Sequence, residues 1–158
     1  MGRVGISLPP HHDGRGYGSG VTPSPVDRLL TALDELDADA AAAMFAVDGR
    51  LLTADGRRAE GVEAIRALLG DFLGQLRSTA HVTTAHWHQD EVWIAEVEAS
   101  YVLRDWLKLT DLPRVFILRD APGGYADLRV YGAHERALAS HRSGGDTMPV
   151  GGLWLPPL

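Results

Sequence analysis

His81 is the residue in this chain best suited to moving a proton. Histidine titrates near neutral pH, and His81 opens an alternating segment in which it shares its parity with Thr83, Ala85 and Trp87. Facing inward, its imidazole could serve as an acid/base; the competing role is a histidine held by a structural hydrogen bond. Tyr101 lies on the apolar parity of the next alternating segment, where its hydroxyl would need a partner and could orient that imidazole. Trp87 and Trp106 offer broad apolar surfaces for a flat hydrophobic ligand, although any small core uses tryptophan in the same way. Arg104 and Asp105, next to Trp106, could close a pocket mouth or decorate a solvated strand end. Arg114 points inward if Pro113 brings a bulge that resets the alternation. His86 and His88 stand at i, i+2, but no third ligand accompanies them, so no metal site is expected.

Composition excludes several other chemistries. With no cysteine among 158 residues, the chain has no disulfide, no thiolate metal site and no cysteine nucleophile. A net charge of −6, a single lysine at Lys108 and scattered arginines argue against nucleic acid as a partner, which would need clustered positive charge. No apolar run approaches the roughly 18 residues that span a bilayer. The first ten residues lack the apolar stretch of a secretory signal, so a cytoplasmic location is expected and no membrane partner.

The elements that must position these residues follow one another from Pro25 to Tyr131. Ser24 is placed to cap a helix with Pro25 in its first turn, and Val26, Leu29, Leu30 and Leu33 recur at helical spacing, predicting a helix to about Leu36. Asp37 caps a second short helix through Ala40–Ala43, with Met44 and Phe45 inward and Asp48-Gly49 ending it. Arg50–Thr53 reads as a short strand and residues 54–58 as a turn. The third helix carries Val62, Ile65, Leu68, Leu69, Phe72 and Leu76 along one stripe.

From Ser78 the period becomes two. Gln89-Asp90-Glu91 separates the strands of a hairpin, whose second strand puts Trp93, Ala95, Val97, Ala99, Tyr101 and Leu103 on the core side. Leu112–Leu118 and Tyr125–Tyr131 form two further strands, Arg129 and Tyr131 facing away from the helices, and Pro113 belongs near a strand start or a bulge. Residues 1–23 read as a flexible leader rich in Gly and Pro, 24–138 as one α+β domain and 139–158 as an extended tail. The apolar end of that tail, Leu153-Trp154-Leu155, should dock on the sheet or a dimer surface.

The order of these elements, together with Phe45–Thr53, Gly61-Val62-Glu63-Ala64-Ile65 and Asp127-Leu128-Arg129-Val130-Tyr131, resembles the nuclear transport factor 2-like superfamily and its SnoaL-like branch. The resemblance implies a cone: a curved, mixed but largely antiparallel sheet wrapped around three N-terminal helices, with a pocket at the open end. It also implies a homodimer, a hydrophobic small-molecule ligand and, in catalytic members, proton transfer without a cofactor. The steroid-isomerase pattern is not met, because its base falls on Thr53, its helix tyrosine at about Leu29 and its second donor among Val115, Phe116 and Ile117. Thr53 is then at most a ligand-binding position. In the scytalone-dehydratase-like pattern a pocket histidine is placed as His81 is, but its partner histidine falls near Leu103 or Arg104. Two functions remain open: an isomerase, cyclase or dehydratase using His81 and Tyr101, with Thr53, Trp87, Trp106, Arg104, Asp105 and Arg114 around the ligand, or a non-catalytic binding or dimerising protein.

Overall fold

The computed structural model describes residues 22–132, so the leader, apart from its last two residues, and the whole tail lie outside the described residues. Three helices precede most of a single six-stranded sheet: α1 (Pro25–Asp34), α2 (Ala38–Ala43), β1 (Phe45–Leu52), β2 (Arg58–Glu60), α3 (Val62–Leu73), β3 (Leu76–Gln89), β4 (Val92–Leu103), β5 (Lys108–Ala121) and β6 (Gly124–Tyr131). The strand order is β2-β1-β6-β5-β4-β3. Only β1 and β6 run parallel; every other neighbouring pair is antiparallel. This is the cone-like α+β arrangement that the order of elements implied.

Local chemistry sets the helix ends. The Ser24 hydroxyl accepts the Asp27 N–H, and the Asp27 carboxylate accepts the Ser24 N–H in return, a capping box with Pro25 in the first turn. The helix stops two residues before Leu36 because Leu36 takes a left-handed backbone conformation (φ 57°). There its N–H bonds the Leu33 carbonyl and that of Asp37 bonds the Ala32 carbonyl, closing the last turn. Asp37 then caps α2 through the Ala40 N–H at 2.8 Å.

Three features of the strands differ from expectation. β1 starts at Phe45, where a helix end was expected, because Gly49 lets β1 lie against β6. A Cβ at Gly49 would sit 2.7 Å from the Tyr125 carbonyl oxygen. Arg58, expected at the end of a turn, instead begins the edge strand β2, which pairs residues 58–60 with β1. β5 likewise starts earlier than Leu112: the register slips between Ala99 and Tyr101, Asp111 takes φ 55°, and this bulge lies just before Pro113, as the proline suggested.

The core fills the space between helices and sheet. Val26, Leu29, Leu30 and Leu33 from α1 and Ile65, Leu69 and Leu73 from α3 meet Ala95, Val97, Ala99, Tyr101 and Leu103 of β4 and Leu112, Phe116 and Leu118 of β5. On the opposite side of the sheet, Arg129 and Tyr131 are exposed, as their parity predicted. Among the described residues no helix is long and apolar enough to cross a membrane.

Candidate functional site

β3 is an edge strand, and α1 lies along it. A strand edge leaves alternate N–H groups without a sheet partner, and the helix supplies one for His81. Asp34, in the last turn of α1, accepts the His81 backbone N–H on Oδ2 at 3.1 Å and contacts ring Nδ1 through Oδ1 at 2.6 Å. An ionised carboxylate can only accept, so Nδ1 carries the hydrogen. In the neutral ring Nε2 is then the basic nitrogen. The His81 side chain is 2% exposed and that of Asp34 31%, so the pair joins the interior to the surface. Thr79 Oγ1 lies at 3.5 Å from the same Nδ1.

The walls around the ring are aromatic. Tyr101 of β4 packs edge-to-face on His81 with centroids 5.9 Å apart, and Phe116 of β5 does so at 6.3 Å. Phe72 of α3 meets Tyr101 at 5.7 Å. Arg114, fully buried on β5, places its guanidinium carbon 5.9 Å from the Tyr101 ring centre. The bulge before Pro113 gives Arg114 the inward parity, in register with Val97 of β4, which itself faces Thr83 of β3. An imidazole, a guanidinium and three aromatic rings thus lie together between the sheet and the helices. A second link joins α1 to β3: Thr83 Oγ1 donates to Asp27 Oδ1 at 3.1 Å.

Of the residues singled out in the sequence, His81, Tyr101 and Arg114 come together. The others do not join them. Thr53 follows β1, where its hydroxyl bonds the Asp55 carboxylate in the turn to β2. Trp87 does not share His81's face, because the β3 register slips between Thr83 and Ala85 and turns Trp87 outward, 53% exposed. Trp106 is 65% exposed, with the Arg77 guanidinium 3.7 Å above its ring. Arg104 donates to the Gly74 carbonyl at 2.6 Å, and Asp105 accepts the Leu107 N–H at 3.1 Å, so the β4–β5 turn is fastened to the end of α3. His88 stacks on Trp93, and no group of three potential ligands for a metal occurs among the described residues. Asp34, which bonds both the ring and the backbone of His81, was not among the residues singled out in the sequence. Its signal was present: Asp34 is four residues after Leu30 and eight after Val26, so its carboxylate, unlike that of the C-cap Glu35, falls beside the apolar stripe.

Residues 24–106 match the family model of the SnoaL-like domain. Among solved structures, a protein from Catenulispora acidiphila with a ketosteroid isomerase-like fold, solved with trimethylamine, superposes with a TM-score of 0.67 at 18% identity, over 75% of this chain and 92% of that one. A protein from Shewanella denitrificans assigned as a SnoaL-like polyketide cyclase gives 0.64 at 11% identity, over 75% and 95%. One from Novosphingobium aromaticivorans assigned as an aromatic ring hydroxylase gives 0.58 at 18% identity, over 72% and 91%. At these identities the likeness is one of fold. No curated protein matches significantly.

Proposed function

The chain belongs to the SnoaL-like domain family, and on that premise we propose that it binds a hydrophobic small molecule and moves a proton on it without a cofactor, as an isomerase, cyclase or dehydratase. The observation that carries this proposal is the Asp34–His81 pair set among aromatic rings. Asp34 fixes the tautomer, so Nε2 can take a proton from a carbon or hydroxyl acid of the ligand. The imidazolium formed is stabilised by the carboxylate at 2.6 Å and can return the proton to a second position or to a leaving oxygen. The Arg114 cation beside Tyr101 favours negative charge developing on the ligand, and Phe72, Tyr101 and Phe116 supply contact area for a flat, apolar body. The steroid-isomerase mechanism finds no support, since Leu29 is core and Thr53 is held in a turn.

Thermal unfolding against a panel of steroids, polyketides, aromatic acids and terpenoids should yield a stabilising ligand, because binding to the native state raises its melting temperature. His81→Ala should then abolish turnover of that ligand class while leaving affinity within a few-fold. Unchanged turnover removes His81 from the chemistry, and binding with no turnover of any ligand leaves a non-catalytic binding protein.

A second copy of this chain is the partner that the outer face of the sheet fits. Trp87, Ile94 and Ile117 form one row across β3, β4 and β5, and Val115 and Tyr131 lie in the next. Glu96 and Glu98 flank this apolar centre along β4 on one side, and Arg119 flanks it on the other, beside Arg129, which bonds Asp127 at 2.8 Å. A two-fold through the centre would set Glu96 and Glu98 of each copy toward Arg119 of its mate. Light scattering after gel filtration should give a dimer, with Ile117→Asp a monomer; a monomeric wild type at every concentration refutes the pairing.

A further inference from the structure

We propose that Thr83, acting through Asp27, is a positioning residue for the His81 base, by fixing the rotation of α1 about its own axis. The inference rests on the acid/base role given to His81. Asp27 and Asp34 are seven residues apart, close to two full turns, so both carboxylates leave α1 on the same side. On β3, Thr83 and His81 are two residues apart and therefore share a face. Helix and strand run in opposite directions, so the pairs form two rungs: Asp27 with Thr83 at 3.1 Å, and Asp34 with His81 at 2.6 Å. The register slip on β3 comes immediately after Thr83, which makes Thr83 the last residue to keep the parity of His81.

The two oxygens of Asp27 divide the work. Oδ2 accepts the Ser24 N–H and hydroxyl, closing the capping box, while Oδ1 accepts the Thr83 hydroxyl. The first turn of α1 is thereby tied to the edge strand through the same carboxylate that starts the helix. Tyr125 also holds this end, but it bonds the backbone carbonyl of Pro25, which fixes where the helix begins and leaves its rotation to side chains. A rotation that spoils the first rung swings Asp34 at the other end and opens the short contact to Nδ1. The expected consequence lies in His81 itself: with the carboxylate displaced, the hydrogen is no longer confined to Nδ1, and Nε2 ceases to be reliably the free base.

The test is the ring 15N spectrum of His81 in the full chain, above the pH at which the ring is protonated, with melting temperatures alongside. Thr83→Val should raise the Nε2–H tautomer by about tenfold from a trace level, with Thr83→Ala as the second variant should the first fail to fold. Thr83→Ser should restore the wild-type spectrum. Ser24→Ala weakens the cap but keeps the Asp27–Thr83 rung, so it should lower the melting temperature without changing the tautomer. A wild-type spectrum in both Thr83→Val and Thr83→Ala overturns the proposal, as does a Ser24→Ala spectrum disturbed as much as theirs, which would show general loosening of the helix. Asp34→Asn separates the two levels: it should mix the tautomers, and a wild-type spectrum there refutes the base assignment itself.

Discussion

Both carboxylate oxygens of Asp34 are committed to one residue: Oδ1 meets the His81 ring nitrogen at 2.6 Å, and Oδ2 accepts the His81 backbone N–H at 3.1 Å. The same side chain therefore completes the hydrogen bonding of an edge strand and fixes the direction of an imidazole on it. Loss of the charge should be felt more in chemistry than in folding. Asp34→Asn keeps the shape and an acceptor, so unfolding free energy from urea titration should fall by only about 1–2 kcal/mol. Turnover of the ligand class found by thermal screening should fall by about 100-fold or more, because the imidazolium loses its counter-charge. Equal losses in stability and turnover would point to a structural pair.

Tyr125 joins β6 to the start of α1, and burial pushes its hydroxyl above the usual tyrosine range. The hydroxyl donates to the Pro25 carbonyl at 2.8 Å, in the interior. Tyr125→Phe should cost about 1–2 kcal/mol in urea unfolding, since the carbonyl is left buried without that donor. For a group raised in the folded state, the contribution is complete below the unfolded value near 10 and is lost as pH rises through the higher folded value. The wild-type advantage over Tyr125→Phe should hold at pH 7 and shrink in strong alkali. A gap independent of pH would contradict the ionisation argument.

Asp55 titrates in the opposite sense. Burial pushes its carboxyl up, but bonds from the Thr53 hydroxyl, the Arg57 N–H and the Arg57 guanidinium outweigh this and hold it below 3.8. A lowered carboxyl stabilises the fold above its unfolded value, and the effect disappears as pH falls through the folded one. Stability of the wild type relative to Asp55→Asn should therefore be larger at pH 6 than at pH 2. Parallel curves across that interval would show that the turn gains nothing from the charge.

Trp106 and Arg104 make the opposite kind of prediction. Both belong to the turn outside the aromatic cluster, where Trp106 lies under Arg77 and Arg104 holds the end of α3. Trp106→Ala should leave ligand affinity within about twofold, whereas Phe116→Ala should weaken it by tenfold or more through lost apolar contact. Isothermal titration with any ligand found by the screen checks both. A strong loss at Trp106 would relocate the binding surface to the turn.

The sequence by itself determined the three helices and the main stretches of β3, β4, β5 and β6, because their signals are local. The Ser24 cap, the spacing of Val26, Leu29, Leu30 and Leu33, and the stripe from Val62 to Phe72 each act within a few turns of helix. The Gln89-Asp90-Glu91 hairpin was equally legible, and so was the inward row from Ala95 to Leu103. Alternation was enough to turn His81 and Tyr101 toward the core. It failed at Trp87, because a bulge is one extra residue whose position depends on the partner strand, and β4 sets the slip after Thr83. β2 was missed for a related reason: three residues carry too little pattern, and only pairing with β1 makes them a strand.

The site depended on contacts that no local pattern encodes. Asp34 and His81 are 47 residues apart, and Asp27 and Thr83 are 56 apart. Asp34 in the sequence is an acidic interruption of an apolar stripe; it becomes the partner of a histidine only when α1 lies along the open edge of β3. The tertiary structure alone decided that, because an edge N–H and a buried imidazole both need an acceptor and the packed helix brings one carboxylate within reach of the two.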